Sequence, residues 1–265
     1  MPKKYEFAIY EKRGRIAYIT INRPQVMNSL HPPTHDELWE IFCDFRDDDQ
    51  MWVAIVTGAG ERAFSAGNDL KYTASHPEQQ GAAVRTLNPG GFGGITNHFE
   101  CWKPLIAAVN GYALGGGLEI ALACDIIVAA DHARLGLPEP TVGLMAAAGG
   151  VNRLPRMIPL KVAMGHMLTG KPLTAQEALQ WGLVNEVVPL KELMPTAERW
   201  AQEIMACSPL AVRATKEATM KGLSMPLDQA LNYQFHQSLL MRHSEDTVEG
   251  PKAFAEKRRP VWKGR

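Results

Sequence analysis

The chain has 265 residues, of which 28 are Lys or Arg and 28 are Asp or Glu, so its formal net charge is zero. This balance disfavours a nucleic-acid binder, which would normally carry a basic excess on one face. The hydrophobic fraction of 46% and the charged fraction of 21% are typical of a globular protein with a sizeable core and exclude long disorder.

The first predicted elements are a β-hairpin and an amphipathic helix. Residues 6–12 and 15–22 carry β-branched or aromatic side chains at alternate positions, and Arg13-Gly14 between them is typical of a turn. From Thr34 onwards the hydrophobic period changes to about 3.6, as in an α-helix. We expect Thr34 to be the N-cap of this helix, with Glu37 at the capping-box position.

The middle of the chain predicts parallel α/β structure. Residues 52–57, 105–109 and 125–129 are apolar runs of strand length, and a helix beginning at Gly115 separates the last two. Strand, helix and strand in this order imply a parallel sheet. Residues 72–94 show no clear period and end in a glycine-rich run, which predicts a mobile loop or weak helix of the kind that covers a site.

After Leu160 the sequence is mainly helical, with Pro and Gly residues between the segments. The predicted helices cover residues 161–168, 174–180, 191–205, 210–221, 225–241 and 244–257. The first two thirds of the chain are therefore expected to be α/β and the last third mainly α.

Neither the N-terminus nor the most apolar segment predicts export or a membrane span. Lys3 and Lys4 are followed by an alternating pattern rather than by the apolar region of a signal peptide. Residues 105–130 are long enough to cross a bilayer, but Asn110, Glu119 and a triple glycine fit a buried strand, turn, helix and strand better. The four cysteines show no C-x-x-C spacing, so a cytoplasmic protein with reduced thiols is expected.

Two local motifs suggest sites that their surroundings do not support. Residues 58–63 match G-x-G-x-x-A after a strand, but no helix opens on these glycines, so a dinucleotide site is not expected. His31 and His35 have the i, i+4 spacing of helical zinc ligands, yet Pro32-Pro33 between them argues against one regular helix. We expect a loop residue at His31, a surface residue at His35 and no metal site.

Two carboxylates lie in unusually apolar sequence surroundings and predict acid/base chemistry. Glu119 stands among Gly, Leu, Ile and Ala residues, and Glu139 stands between two prolines. Desolvation raises a carboxyl pKa, and two neighbouring carboxylates do not easily ionise together, so such a pair can hold one proton near neutral pH. The alternatives are a locally hydrogen-bonded helix residue at Glu119 and an ordinary loop residue at Glu139.

Glycines at two places predict backbone hydrogen-bond donors. Residues 115–117 open a helix, and free N–H groups at a helix N-terminus can bind negative charge that develops on an oxygen. The tight turn over residues 67–69 could supply a further N–H. The alternative is that these glycines only allow close packing.

A series of short sequence blocks, specific in combination rather than singly, runs along nearly the whole chain. The blocks are Asn22-Arg23-Pro24 with Asn28, Ala63 to Leu70, Lys103 to Gly111, Gly115 to Glu119, Cys124-Asp125, Leu137 to Glu139, Leu168 to Gly170, Trp181 to Asn185 and Ala253 to Arg258. Together they resemble the enoyl-CoA hydratase (crotonase) family.

The resemblance implies an α/β fold in which a spiral of repeated strand-strand-helix units occupies residues 1–200. A helical C-terminal region over residues 201–265 would form trimers, so a homotrimer or homohexamer is expected. The implied activity is that of a hydro-lyase, the reversible syn addition of water to the C2–C3 double bond of a 2-enoyl-CoA. An acyl-CoA is the implied substrate, with no cofactor beyond its coenzyme A, no metal, and no nucleic-acid or membrane partner.

The resemblance also implies a catalytic site. The backbone N–H groups of Asn68 and Gly116 would form an oxyanion hole for the thioester carbonyl. Glu119 would orient and activate water, and Glu139 would supply or take the proton at C2.

Four further residues are implied in substrate binding. Ala66 and Leu70 would line the path of the adenine and pantetheine, and Phe254 and Lys257 would help to hold the nucleotide end.

Other activities of the family remain open as alternatives. Isomerases and dehalogenases of the family tend to have an acidic residue in the segment that corresponds to residues 145–148, and this chain has none there. Thioester hydrolases of the family often lack a glutamate at the position of Glu119, which this chain retains. Both observations disfavour those activities. Ala147 stands where hydratases commonly carry Gly. The glycine-rich run 90–94 and the C-terminal residues 260–265 are more similar to the carnitinyl-CoA dehydratase branch, the main alternative. A non-catalytic RNA-binding relative is disfavoured by the zero net charge and both glutamates.

Overall fold

The computed structural model of the chain describes residues 3–76, 88–97 and 99–265, and it is an α/β fold. Its strands are β1 (Ala8–Arg13), β2 (Ile16–Ile21), β3 (Val53–Gly58), β4 (Ala63–Ser65), β5 (Leu105–Val109), β6 (Tyr112–Leu114), β7 (Ile126–Ala130), β8 (Arg134–Gly136), β9 (Leu173–Thr174) and β10 (Glu186–Val188).

The helices lie between and after these strands. They are α1 (Pro32–Asp47), α2 (Leu70–Ser75), α3 (Gly116–Ala123), α4 (Gly150–Met157), α5 (Leu160–Thr169), α6 (Ala175–Gln180), α7 (Leu193–Met205), α8 (Pro209–Gly222), α9 (Leu227–Asn232), α10 (His236–Arg242) and α11 (Glu245–Ala255). Short 3-10 turns cover Pro24–Val26, Phe92–Gly94, Glu139–Val142 and Leu190–Glu192. Over the described ranges, no helix has both the length and the apolar character that a membrane span requires.

The described strands form two sheets, and the chain alternates between them. The larger sheet has the order β1-β2-β3-β5-β7-β10, and the smaller one has the order β4-β6-β8-β9. From β3 to β8 each strand of the large sheet is followed by one of the small sheet, with α2 after β4 and α3 after β6. This alternation is the expected strand-strand-helix unit, and the parallel pairing of β3, β5 and β7 confirms the predicted sheet.

The hydrophobic core lies on both faces of the large sheet. Ile55 and Ile106 pack on the face that α7 covers, while Val56 and Ala107 belong to the core on the other face. Successive side chains of a strand point to opposite faces, so a strand covered on both sides is apolar at every position. This double burial explains the uninterrupted apolar runs in the sequence.

Helix α1 begins earlier than predicted and has a different N-cap. Pro32-Pro33 occupies its first turn, where the missing N–H groups would have no partner in any case. His31 is therefore the N-cap residue, and Thr34 lies inside the helix with its hydroxyl 2.6 Å from His31 Nδ1. The carboxylate of Glu37 accepts hydrogen bonds from the backbone of residues 6 and 7 instead of capping the helix. The predicted cap at Thr34 is wrong because the prolines start the helix.

The glycine-rich run is packed tightly against neighbouring elements. Residues 77–87 of the predicted loop lie outside the described residues, but residues 88–97 pack against α1 and α3, and their centre is buried. A Cβ atom on Gly94 would lie 2.8 Å from the backbone nitrogen of Trp39. Of the two predicted forms, a mobile loop or a weak helix, the structure has a short 3-10 helix at Phe92–Gly94, where small residues allow close contact between backbones.

The C-terminal region is helical as predicted, with one interruption. The single helix expected over residues 225–241 is two helices, α9 and α10, because the backbone is extended at Tyr233 and Phe235. Phe235 is buried at this break, beside Gly222 of α8. The division of the chain at residue 200 and the formation of trimers through residues 201–265 stay predictions.

Candidate active site

Loops after three neighbouring strands of the small sheet meet at one cavity. Strands β4, β6 and β8 are adjacent and parallel, so their carboxyl ends lie at the same edge of the sheet. Asn68 comes shortly after β4, Gly116 shortly after β6 and Glu139 shortly after β8. All three residues line a cavity of about 730 Å³. The topology thus brings together residues that are far apart in the sequence.

Most of the residues that the sequence suggested lie at this cavity. Those that line it are Ala66, Asn68, Leu70, Gly116, Glu119 and Glu139. Phe254 and Lys257 do not line it: Phe254 is 88% exposed on α11, and Lys257 is exposed just after that helix.

The turn at Asn68 is fixed by pairing with the segment before α1. The backbone N–H of Leu30 donates to the carbonyl of Gly67 at 2.7 Å, and that of Asp69 donates to the carbonyl of Leu30 at 2.8 Å. Gly67 has a φ of +83°, which favours glycine. A Cβ atom on Gly67 would lie 2.8 Å from the backbone nitrogen of Gly116, so the loops after β4 and β6 touch at this point.

A buried ion pair braces the same turn. Arg23 Nη1 lies 3.0 Å from Asp69 Oδ2, and the two side chains are only 11% and 10% exposed. Burial opposes ionisation of Asp69, but the N–H of Tyr72 and the Arg23 guanidinium together hold its pKa below the ordinary range. The Asn28 side chain accepts from the N–H of Arg23 and donates to the carbonyl of Ala63. These residues therefore fix the backbone around Asn68 rather than line the cavity.

The N–H of Gly116 is the first of helix α3, so it has no acceptor within the helix. Throughout the part of the chain that the structure describes, neither this N–H nor that of Asn68 donates to a protein acceptor. The ring of Phe92 lies directly over Gly116, where an added Cβ atom would be 2.3 Å from Phe92 Cε1. The two unpaired donors are thus at the wall of one cavity, and position 116 requires glycine.

Glu119 is buried in the first turn of α3, with 3% of its surface exposed. Its Oε1 accepts a hydrogen bond from the backbone N–H of Gly150 at 2.7 Å. Burial raises the pKa of Glu119 to about 7, and the nearby Glu139 carboxyl acts in the same direction, against the effect of the Gly150 N–H. This carboxyl can therefore gain or lose a proton near neutral pH.

Glu139 is the second carboxyl at the cavity and is half-buried. Its Oε2 is buried and has no hydrogen-bond partner among the described residues. Its Oε1 lies close to Gly115, where an added Cβ atom would be only 2.9 Å away. Burial raises the pKa of Glu139 as well. The cavity thus holds two carboxyls that are both easier to protonate than in water.

Sequence reasoning missed several residues of the cavity wall, among them His35 and Phe92. His35 is 4% exposed, so the expectation of a surface residue is wrong. Its ring meets that of Phe92 edge-on, with the centroids 4.5 Å apart, and its Nδ1 accepts from the N–H of Gly93 at 3.0 Å. A helix that begins at the two prolines places His35 on the same face as Leu38 and Phe42, and this spacing was the available signal.

Within the described ranges, the side chains form no cluster suited to a metal ion and no disulfide bond. There, no three His, Cys, Asp or Glu side chains are grouped so as to hold a metal ion. Cys43, Cys101, Cys124 and Cys207 are all free thiols.

The comparisons with known proteins agree with each other. The family model described as enoyl-CoA hydratase/isomerase matches residues 11–265. The carnitinyl-CoA dehydratase of Escherichia coli strain K12 is 47% identical over 260 residues, which cover 96% of this chain and 97% of that protein. The protein of the same name from Citrobacter koseri is 45% identical over 262 residues, covering 97% and 98%.

Solved structures give the same result at the level of the fold. The enoyl-CoA hydratase from Bacillus anthracis has a TM-score of 0.91 and 38% identity, covering 98% of this chain and all of that one (100%). The enoyl-CoA hydratase from Mycobacterium tuberculosis has a TM-score of 0.88 and 40% identity, covering 98% and 99%.

Proposed function

The chain belongs to the enoyl-CoA hydratase/isomerase family, and on that basis we propose that it is a hydro-lyase that adds water reversibly, in syn fashion, to the C2–C3 double bond of a 2-enoyl-CoA. The observation that carries this proposal is the meeting of two unpaired backbone N–H groups and two carboxyls of raised pKa at one cavity. Adding water changes no oxidation state overall, so the reaction calls for no cofactor beyond the coenzyme A of the substrate.

The thioester carbonyl binds between the N–H groups of Asn68 and Gly116. Attack of water at C3 pushes electrons toward this carbonyl, and the oxygen gains negative charge as an enolate forms. Two donors that are already in place stabilise that charge without reorganisation, which is usually the largest single contribution to such catalysis. The rigid support of Asn68 by Leu30 and by the Arg23–Asp69 pair favours this role.

The two carboxyls handle the protons. Glu119, in its ionised form, accepts a proton from the water whose oxygen bonds to C3. Glu139, in its protonated form, donates a proton to C2, and the double bond becomes a single bond. One proton passing from Glu119 back to Glu139 restores the starting state. Raised pKa values suit this exchange, because the pair can hold a single proton near neutral pH.

Substrate binding extends from Ala66 and Leu70, which line the cavity, toward the nucleotide end of coenzyme A. Phe254 and Lys257 lie outside the cavity of their own chain, so we place them at the nucleotide end of a substrate bound to a neighbouring subunit. A homotrimer or homohexamer is supported by the exposed apolar side chains of the C-terminal region. Those most exposed to solvent in the isolated chain include Leu223, Leu227 and Leu231.

The reverse reaction on a carnitinyl-CoA is the second candidate. Carnitinyl-CoA dehydratases are 47% identical to this chain over nearly its whole length. Loss of water from a 3-hydroxyacyl-CoA uses the same donors and the same carboxyls in the opposite order. The two candidates therefore differ in the acyl group and not in the chemistry.

Hydration of crotonyl-CoA, followed by the loss of the enone absorbance, tests the proposed activity. We expect Glu119→Gln and Glu139→Gln each to lower kcat by about 10²–10⁴-fold while coenzyme A thioesters still bind. Glu61→Gln is the matched control, because Glu61 is exposed and does not line the cavity. Full turnover in both site variants would show that the pair is assigned wrongly.

A further inference from the structure

His35 presents a hydrogen-bond donor of fixed orientation to the cavity. Its Nδ1 accepts from the N–H of Gly93 at 3.0 Å, and an accepting nitrogen must carry the lone pair. The proton of the neutral imidazole is therefore on Nε2. Burial lowers the pKa of His35 to about 3, so the ring stays neutral at physiological pH.

No described protein atom accepts from the Nε2–H group of His35, and only 4% of the residue's surface is exposed. The ring lines the cavity, so a ligand or water in the cavity is what can accept from it. A buried donor that loses its acceptor is costly, and a site built around such a donor discriminates against ligands that leave it unpaired.

The position of His35 indicates which part of the substrate it meets. The Phe92 ring covers Gly116, where the thioester carbonyl is placed, and the ring of His35 packs against the same Phe92. Because Ala66 and Leu70 are assigned to the pantetheine path under the proposed function, the donor beside Phe92 is assigned to the acyl side of the thioester. The cavity wall also includes apolar side chains, among them Leu144 and Met145.

The charges around the cavity further restrict which acyl groups can bind. The described residues that line it include no Lys or Arg, and their only carboxylates are Glu119 and Glu139. Among the described lining residues, an acyl group that ends in a carboxylate would meet two acidic groups and no counter-charge. A quaternary ammonium group would be attracted by the same carboxyls, but it offers no acceptor to the N–H of His35, whose positive edge would face it.

We propose that His35 is a specificity-determining residue that selects acyl-CoA substrates with an uncharged oxygen, a hydroxyl or a carbonyl, on the acyl chain beyond C3. The inference rests on the proposed function for the thioester and for its placement. According to this proposal, the preferred substrate is neither a plain hydrocarbon enoyl-CoA nor a carnitinyl-CoA.

Two substitutions at His35 distinguish the roles of its two ring nitrogens. In His35→Asn, Oδ1 takes the place of Nδ1 and can still accept from Gly93, but the donor at the Nε2 position is lost. In His35→Gln, the amide nitrogen reaches the Nε2 position and restores the donor. The first pair of probes is but-2-enoyl-CoA and 4-hydroxybut-2-enoyl-CoA, and the second pair is hex-2-enoyl-CoA and 5-hydroxyhex-2-enoyl-CoA. Crotonobetainyl-CoA, which carries a quaternary ammonium group, is the cationic probe.

The ratio of kcat/KM for a hydroxylated substrate to that for its hydrocarbon partner is the decisive quantity. We expect it to exceed one in the wild-type enzyme for at least one pair, to fall by about tenfold in His35→Asn, and to recover in His35→Gln. A ratio that is unchanged in His35→Asn, or a wild-type preference for crotonobetainyl-CoA, would overturn the proposal.

Binding of saturated analogues keeps this test independent of turnover. Absence of any hydration would refute the proposed function alone. Titration calorimetry with butyryl-CoA and 4-hydroxybutyryl-CoA, and with hexanoyl-CoA and 5-hydroxyhexanoyl-CoA, would then measure the same discrimination. Equal affinities within both pairs, in wild type and His35→Asn alike, would refute the role of His35.

Discussion

Gly150 holds the carboxylate of Glu119 through a backbone N–H that lies 2.7 Å from Oε1, and a Cβ atom at position 150 would lie only 3.0 Å from that same oxygen. Gly150→Ala must therefore displace the carboxyl while leaving its chemistry intact. We expect kcat for crotonyl-CoA hydration to fall about tenfold, since small misplacements of a catalytic group are costly. Steady-state kinetics would show this as a change in kcat larger than that in KM.

Gly165→Ala provides the control for that substitution. Gly165 lies inside α5, and an added Cβ atom would meet nothing within 4 Å. We expect unchanged kcat and a gain in the free energy of unfolding of about 0.5–1 kcal/mol, because alanine favours a helix over glycine. Wild-type turnover in Gly150→Ala would contradict the importance of the Gly150 contact.

Gly116→Ala tests the placement of the donor over which Phe92 lies. The added methyl group would be 2.3 Å from Phe92 Cε1, so the ring or the start of α3 must move. We expect kcat to fall about 10²-fold or more, the usual effect of losing one oxyanion donor. The double variant Gly116→Ala/Phe92→Ala removes the clash and should recover part of the rate. A single variant as active as the wild type would place the oxyanion elsewhere.

Glu119→Gln should change how stability depends on pH. Burial raises the pKa of Glu119 from 4.5 to about 7, so the folded state binds the proton more tightly than the unfolded state. Its contribution to stability is complete below 4.5 and is lost as the pH rises through about 7. Relative to wild type, Glu119→Gln should therefore gain about 2–3 kcal/mol between pH 5 and pH 8.5.

Urea unfolding at several pH values measures this difference. Glu61→Gln is the control for removing a carboxylate from an exposed position. Parallel curves for Glu119→Gln and wild type would mean that the carboxyl titrates at its ordinary pKa.

The Arg23–Asp69 pair should be strongly coupled in a double-mutant cycle. Both side chains are about nine-tenths buried, so Arg23→Met leaves the Asp69 carboxylate without its counter-charge. We expect a loss of about 3–5 kcal/mol in the free energy of unfolding and a lower kcat as the Asn68 turn shifts. Arg23→Met/Asp69→Asn should lose less than the two single variants together. Additive losses would show that the pair does not act as a unit.

Much of the large sheet was predictable from local patterns. The alternation in residues 6–12 and 15–22 corresponds to β1 and β2, and the apolar runs at 52–57 and 105–109 correspond to β3 and β5. The strands of the small sheet are two or three residues long, too short for a period to be recognised. Their existence depends on ladders with distant parts of the chain, such as that between Tyr112 and Arg134.

The candidate site shows the same limit. Glu119 and Glu139 were visible because their apolar neighbours predict desolvation, and the structure places both at the cavity. For His35 the sequence carried only the helical spacing with Leu38 and Phe42, because its burial also depends on residues 88–97 packing over the start of α1. Glu37 was misassigned for a related reason: its hydrogen-bond partners come from the segment before β1.

The three strand ends that form the cavity also make it modular. Each of the loops after β4, β6 and β8 leaves the sheet from a strand whose register its own ladder fixes. The part of the loop after β8 that lies between Glu139 and Gly150 can therefore change without moving the donors at Asn68 and Gly116, because neither donor comes from it. Under the proposed function, new acyl groups can thus be accommodated by varying this one segment while the proposed oxyanion donors stay in place.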